Sequence, residues 1–263
     1  MDAAPGPVIL RLAGDPRDPN RVILTYGPPN GDAETARTLP LHIAVVAEEH
    51  LQLGQACPPE LVARLAAGDE FQRQYARALG FLAVRPRSEA EVRSRLRRKA
   101  VEPDLIDAIV ARLHRARYLD DAEFARYWVA ERARTSPRGA RLIKGELRNK
   151  GVHPSLIDEA LAVFEEEADA EEAATQERAL LIPGPPPSAA ESDLLEESRE
   201  VRAALGLAER KHRSYGSLDP ATYRRRMTGF LLRRGYGYDV VARVLKRLAA
   251  VPRDAGGDDD DDE

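Results

Sequence analysis

The 263-residue chain has 40 basic and 44 acidic residues, is 43% hydrophobic and 32% charged, and has a net charge of −4. It is long enough for two or three small cores but holds no run of about 18 apolar residues, so no membrane span is expected. Its one cysteine, Cys57, cannot close an internal disulfide and fits a reducing compartment. The opening MDAAPGPVIL lacks a basic start and a long apolar stretch, so a secretory leader is not expected and a cytoplasmic location is.

The first 69 residues read as an extension with short strands. Val8–Leu12 and Val22–Tyr26 are β-like runs around the turn-rich stretch from Asp15 to Asn20, and Arg37–Leu41 is a third. Ile43–Leu51 and Pro58–Ala67 are expected as short helices. From residue 70 the helical period takes over. Glu70–Ala83 is expected as a helix, ended by Arg85-Pro86-Arg87. Ser88 with Glu91 forms a capping box for the next helix, which runs to about Ala100. Asp104–Ala116 follows. Asp120 caps another helix, Pro137 and Pro154 suit first-turn positions, and Gly151 ends the helix between them.

After Phe164 comes an acidic, helix-prone stretch, Glu165–Glu172, then Ile182-Pro183-Gly184-Pro185-Pro186-Pro187, which cannot be helical. Glu196–Arg213, a helix opening at Asp219-Pro220, and Asp239–Leu248 complete the helical part. Gly256–Glu263 reads as a disordered acidic tail.

One pattern recurs three times. Val92, Leu96, Ala100, Ile106, Val110 and Leu113 share their spacing with Ile143, Leu147, Gly151, Ile157, Leu161 and Phe164. Met227, Leu231, Gly235, Val241, Leu245 and Leu248 repeat it, at offsets of 51 and then 84. Apolar residues four apart, a small residue, a break and a second stripe describe two amphipathic helices joined by a tight turn. The expected fold is therefore mainly α: three tandem three-helix repeats in an elongated array, after a small β-containing extension. The boundaries expected are 1–69 for the extension, 70–117, 118–167 and 196–252 for the repeats, 168–195 for an acidic, Pro-rich linker, and 253–263 for the tail.

Charge is strongly segregated along the chain. Residues 71–150 hold 20 basic and 10 acidic groups, and residues 201–253 hold 13 and 3. Residues 151–200 hold 2 basic and 14 acidic groups, and the last ten hold seven acids. Basic blocks alternating with acidic ones suit a protein that meets a charged partner, although solvated helix surfaces read the same way. At 100° per residue, Arg141, Lys144 and Arg148 share one helix face opposite Ile143 and Leu147. Arg93 and Arg97, beside Arg98, stand at the equivalent places in the first repeat. In the third, the stripe gives way to Thr228 and Leu232, and charge moves to Arg224, Arg225, Arg226, Arg233 and Arg234. These cations suit phosphates or an acidic protein groove.

Other motifs have simpler readings. Asp120, Asp121 and Glu123 cap a helix start rather than form an acid–base pair. Phe124, Tyr127 and Trp128 at i, i+3, i+4 read as repeat core before a base-stacking platform. His42, His50, His114, His153 and His212 lack ligand spacing, so neither a metal nor a cofactor is expected. No phosphate loop or nucleophile elbow is present, and no catalytic residue is assigned.

Arg77–Leu161 resembles the RecX family of bacterial recombination regulators. The resemblance is carried by RALGFLAVRPRSEAEVRSRL (77–96), RYLDDAEFARYWVAERAR (117–134) and ELRNKGVHPSLIDEAL (146–161), with FLLRRGYGYDVV (230–241) resembling the closing repeat. It implies a monomeric, non-enzymatic modulator acting in homologous recombination, DNA repair and the SOS response. Such a protein binds the RecA–single-stranded DNA filament in its groove and lowers RecA's ATPase, strand-exchange and co-protease activities. The alternative is a helical-repeat protein that binds single- or double-stranded DNA directly. The chain departs from the family pattern in three ways. Ala100 stands for the usual turn glycine, the Pro-rich segment lengthens one junction, and the N-terminal strands and acidic tail are longer than expected.

Overall fold

The computed structural model describes residues 6–30, 34–180, 198–215 and 218–250; side chains at 168, 169, 171–180 and 250 lie outside the description. The Pro-rich run and the acidic tail fall outside the described residues. The chain divides into two units. One holds residues up to 87 with Val92–Leu119, and the other holds Ser88–Glu91 with the residues from 120 on.

The first unit opens with an antiparallel meander of β1 (Val8–Asp15), β2 (Asp18–Gly27) and β3 (Arg37–His42). Asp15 tightens the first turn by accepting the Arg17 N–H at 2.9 Å. Leu24 faces both Leu12 and Leu39 in register, so one sheet face is apolar. Its core joins Ile9, Leu24 and Leu41 to Val45, Leu61 and Leu65, which lie on α1 (Ile43–Glu48) and the start of α2 (Pro59–Val84). A three-stranded meander needs such a helical backing to be stable.

Helix α2 is one rod of 26 residues, where the sequence reading placed two helices broken near Gly68-Asp69. Both residues are used by the fold instead. A Cβ at Gly68 would lie 3.2 Å from Val45, so the glycine lets α1 lie close. Asp69 is 5% exposed and accepts the His42 N–H at 2.8 Å, with Arg21 at 3.4 Å and Arg73 at 3.2 Å. A buried carboxylate so paired does not break a helix. The far end of α2 packs Ala78, Tyr75 and Leu79 on α3 (Glu89–Arg97) and α4 (Pro103–Arg115), around Val92, Leu96, Ile106, Ile109 and Leu113.

The second unit holds α5 (Asp121–Thr135), α6 (Ala140–Asn149), α7 (Pro154–Leu180), α8 (Arg199–Tyr215), α9 (Pro220–Arg233) and α10 (Tyr238–Ala250). One core gathers Phe124, Val129, Ile143, Leu147, Val152 and Ile157. The other gathers Val201, Ala204, Met227, Leu231, Tyr236 and Val244. The spacing repeated in the sequence is thus a repeat of core positions. The expected fold class, three three-helix repeats with a small N-terminal sheet, is the observed one.

The turn inside each repeat has the same geometry. Ala100, Gly151 and Gly235 have φ of +54°, +77° and +89°. The N–H of the next residue returns to the carbonyl of Leu96, Leu147 or Leu231, at 3.3, 3.1 and 3.3 Å. This is the left-handed helix stop in which a glycine frees the orphan carbonyls to be used. A Cβ at Gly151 would lie 2.3 Å from the Ala90 Cβ, and one at Gly235 would lie 2.5 Å from the Leu142 Cγ. Those glycines serve a close approach as well as a dihedral. Ala100 is exposed, so nothing requires its Cβ to be missing. Only the left-handed strain remains, about 1–2 kcal/mol for an L residue, less the flexibility a glycine adds to the unfolded chain. Ala100→Gly is therefore expected to raise stability by about 0.5–1 kcal/mol in denaturant melts. A loss of stability would show that the turn is not left-handed there.

Tyr236 follows the third turn and is 1% exposed. Its hydroxyl is buried without a hydrogen-bond partner among the described residues. Burial, aided by the Glu200 carboxylate and opposed by Arg234 and Arg210, pushes its pKa from 10.0 up to about 12. The unfolded chain therefore releases this proton first. Stability contributed by the neutral phenol is complete below pH 10 and is lost as pH rises toward 12, by about 2–3 kcal/mol. Tyr236→Phe removes both the orphan hydroxyl and the titration. It should be at least as stable as the parent at pH 7 and outlast it above pH 10. Parallel alkaline curves for the two proteins would refute this.

Candidate interaction surface

Within the second unit, helix starts make polar contacts with residues far along the chain. The Ser88 hydroxyl donates to the Lys150 carbonyl at 2.5 Å, and the Glu89 N–H donates to Asp121 at 2.8 Å. One repeat later, the Gly139 N–H donates to the Arg234 carbonyl at 2.9 Å and the Ala140 N–H donates to Glu200 at 3.0 Å. Ser88 and Gly139 are equivalent under the 51-residue offset, and Lys150 and Arg234 under the 84-residue offset. At both places a free N–H of a helix start is satisfied by an acid, Glu89 on Asp121 and Ala140 on Glu200, while the turn carbonyl accepts the Ser88 hydroxyl in one and the Gly139 N–H in the other. This explains two corrections. Helix α6 begins at Ala140 rather than at Pro137, because the donors that a first turn would use are given to Arg234 and Glu200. Asp121 serves Glu89, while Asp120 alone caps α5, accepting from Ala122 and Glu123 at 2.8 and 3.0 Å.

The aromatic triplet divides as well. Phe124 is buried, Tyr127 is 42% exposed, and Trp128 is half-buried. The Trp128 ring has Lys150 4.2 Å and Arg132 4.4 Å from its centre, and its Nε1–H donates to Glu146 at 2.9 Å. Arg132 and Arg138 also bond Glu146, and Lys150 pairs with Glu91 at 3.0 Å. Burial pushes the Glu146 carboxyl up, but bonds from Arg132 and Trp128 and the Arg132 and Arg138 charges outweigh it and hold it below 4.5. Its stabilisation is present above the unfolded value and is lost as pH falls through the folded one. Trp128 is thus a half-buried strut, held by Arg132, Lys150 and Glu146.

The candidate cations fall into two kinds. Arg93 pairs with Asp107 at 2.5 Å and Lys144 with Asp158 at 2.7 Å. These pairs are equivalent under the 51-residue offset and join neighbouring helices of one repeat. Lys144 holds the Asp158 carboxyl below its ordinary value, first by its hydrogen bond and then by its charge, with Arg148 adding a little. The pairs are solvent-exposed and contribute little to stability. In contrast, Arg97, Arg98, Arg141, Arg148, Arg224, Arg225 and Arg233 are exposed. Of these, Arg98, Arg141, Arg224 and Arg225 have no ion pair among the described residues. Arg234 is half-buried, its guanidinium 5.1 Å from the Phe230 ring centre.

In the first unit a cleft of about 380 Å³ lies between α2 and α3, with Phe81, Val92 and Leu96 on its floor and Arg77, Arg95 and Lys99 on its rim. Arg87 and Arg95 lie 4.1 and 5.5 Å from the Phe81 ring centre. No group of three or more metal-ligating side chains occurs, and no helix is long and apolar enough to cross a membrane, among the described residues.

Comparison with known proteins places this geometry. The first, second and third three-helix domains of RecX match residues 75–113, 120–161 and 198–245. A protein of Geobacillus kaustophilus (strain HTA426) named "Regulatory protein RecX" is 30% identical over 227 residues, covering 77% of this chain and 84% of that one. Its namesake in Bacillus subtilis (strain 168) is 28% identical over 231 residues, covering 77% and 86%. A crystal structure of regulatory protein RecX shares the fold with a TM-score of 0.69 at 19% identity, over 91% of this chain and 99% of the other. That of RecX from Lactobacillus salivarius does so with a TM-score of 0.54 at 22% identity, over 70% and 99%. With three repeats of one design, matched in order by the three RecX domains and by relatives along most of its length, this chain belongs to the RecX family of regulatory proteins.

Proposed function

We propose that the chain regulates homologous recombination by binding the RecA–single-stranded DNA filament and lowering its ATPase, strand-exchange and co-protease activities. The observation that carries this reading is the family membership. The exposed cations support it. An anionic filament offers phosphates and acidic side chains, and arginine suits both because its planar fork makes paired hydrogen bonds. On this reading Arg97, Arg98, Arg141, Arg148, Arg224, Arg225 and Arg233 make contact. Arg93 and Lys144, held by their aspartates, serve first to tie helices together, and Arg234 serves the repeat junction. The protein acts as a monomer in the cytoplasm, without a cofactor and without chemistry of its own.

The test is RecA ATPase on single-stranded DNA with rising amounts of the protein. Inhibition is expected, and its absence would overturn the reading. Arg141→Glu with Arg148→Glu, which leaves the Lys144–Asp158 pair intact, should raise the half-inhibitory concentration at least ~10-fold, about 1.4 kcal/mol, with helicity unchanged. Unchanged inhibition would remove this face as a contact. Direct DNA binding is separated by salt. Phosphate contacts on naked DNA give a steep log–log slope, whereas a filament-directed regulator prefers the preformed filament.

A further inference from the structure

The 51-residue offset matches the α2–α3 cleft of the first repeat to the Trp128 strut of the second. Arg77, Phe81, Arg95 and Lys99 of the cleft stand where the second repeat has Trp128, Arg132, Glu146 and Lys150. In the second repeat the indole bridges α5 and α6. Its ring centre lies 4.2 Å from Lys150 and 4.4 Å from Arg132, and its Nε1–H donates to the Glu146 carboxylate at 2.9 Å. The first repeat keeps the lysine but has arginine in place of both the indole and the carboxylate. What remains there is an open cleft of about 380 Å³, within the ~300–1,000 Å³ of ligand pockets. Its floor is apolar, and Val84 at its edge is 78% exposed. Arg77 donates to the Gln74 side chain at 3.3 Å. Arg77, Arg95 and Lys99 are exposed and have no ion pair among the described residues, and no carboxylate of those residues lines the cleft.

We propose that this cleft binds a peptide segment of a partner protein, through an aromatic side chain flanked by carboxylates. The ring lies on Phe81, Val92 and Leu96, in the place of the Trp128 indole. A neighbouring carboxylate pairs with Arg95 and Lys99, in the place of Glu146. The partner thus brings from outside the two groups that the second repeat holds within itself. Burying the ring removes apolar surface from water, and the rim cations attract its face. The arginine fork suits a carboxylate, and a rim without acids favours an acidic sequence over a basic one. A peptide fits better than nucleic acid. A nucleobase carries several edge donors and acceptors that an apolar floor would leave unpaired, whereas an indole carries one and a phenyl ring none. The cleft is separate from the arginine face assigned to the filament, so either assignment can fail alone.

Amide spectra of the full chain, titrated with the peptide Asp-Glu-Trp-Asp-Glu, test the assignment. Shifts should concentrate at residues 74–84 and 92–99. Asp-Glu-Ala-Asp-Glu keeps the charge without the ring, and Asn-Gln-Trp-Asn-Gln keeps the ring without the charge. Each should bind at least ~10-fold more weakly. Arg77→Trp with Arg95→Glu gives the first repeat the filling of the second. It should close the cleft, weaken the peptide at least ~10-fold and leave the thermal midpoint unchanged or higher. Lys99→Gln, at an exposed position, should weaken the peptide roughly 3-fold and decides the matter if the double variant folds poorly. The proposal is overturned by an absence of shifts up to about 1 mM peptide, by equal binding of the ring-free peptide, or by unchanged affinity in Lys99→Gln. A thymidine oligonucleotide that shifts the same residues at comparable affinity also overturns it, and would give the cleft to nucleic acid.

Discussion

Gly139→Ala should weaken the protein by roughly 3 kcal/mol or more, although one methyl group is added to a residue whose backbone tolerates it. Gly139 has φ −64° and ψ 152°, a conformation open to any residue, so no dihedral penalty applies. The cost is steric. An added Cβ would lie 2.3 Å from the Gly235 carbonyl carbon and oxygen and 2.5 Å from the Tyr236 nitrogen. These are backbone atoms of a turn held at φ +89° by the Tyr236 N–H on the Leu231 carbonyl. The turn cannot yield as a side chain does, so the junction must open. The bonds from Gly139 to Arg234 and from Ala140 to Glu200 then go with it. Chemical denaturation of parent and variant gives the measurement, with far-UV ellipticity expected to be retained at low denaturant. A difference under about 1 kcal/mol would mean that the two repeats do not pack as described.

Leu147→Ala should cost about 2–5 kcal/mol, from lost burial and the cavity left behind. Leu147 is 0% exposed and packs among Phe124, Val129, Ile143 and Ile157. Leu96 and Leu231 hold the same place in the other repeats and are 2% and 0% exposed. The three substitutions should therefore have similar costs, each reported by its own core. A loss below about 1 kcal/mol at Leu147 would put the repeat register in error.

The core was legible in the sequence because burial imposes a period on each helix, and the same period returned three times. The turn residues were legible for a related reason, since Gly151 and Gly235 sit where the stripe stops. Ala100 shows how that signal separates into two parts: the dihedral is common to all three turns, whereas close approach holds only at the glycines. Contacts between elements were not legible. Gly68 and Asp69 read as a helix break because nothing local reveals that Val45 fits against one and the His42 N–H against the other. The junction acids Asp121 and Glu200 look like ordinary first-turn acids, and their partners lie 32 and 60 residues away. Among the candidate cations, charge and helical phase identified the exposed face. They could not show that Arg93 and Lys144 were held by aspartates 14 residues on. Tyr127 fell on the wrong side of the aromatic stripe because a period of 3.6 leaves i+3 near the edge of a face.

The unbroken α2 has a mechanical consequence. Leu61 and Leu65 near its start belong to the core under the sheet, and Ala78 near its end belongs to the core of the first repeat. A single rigid helix thus sets the angular phase between those two cores. One residue inserted between Leu65 and Ala78 would turn one relative to the other by ~100° and shift it by ~1.5 Å, whereas an insertion of seven residues nearly restores the phase while lengthening the rod by ~10 Å. The N-terminal sheet is therefore geared to the repeat it precedes, and chain length along α2 is constrained by rotation more tightly than by distance.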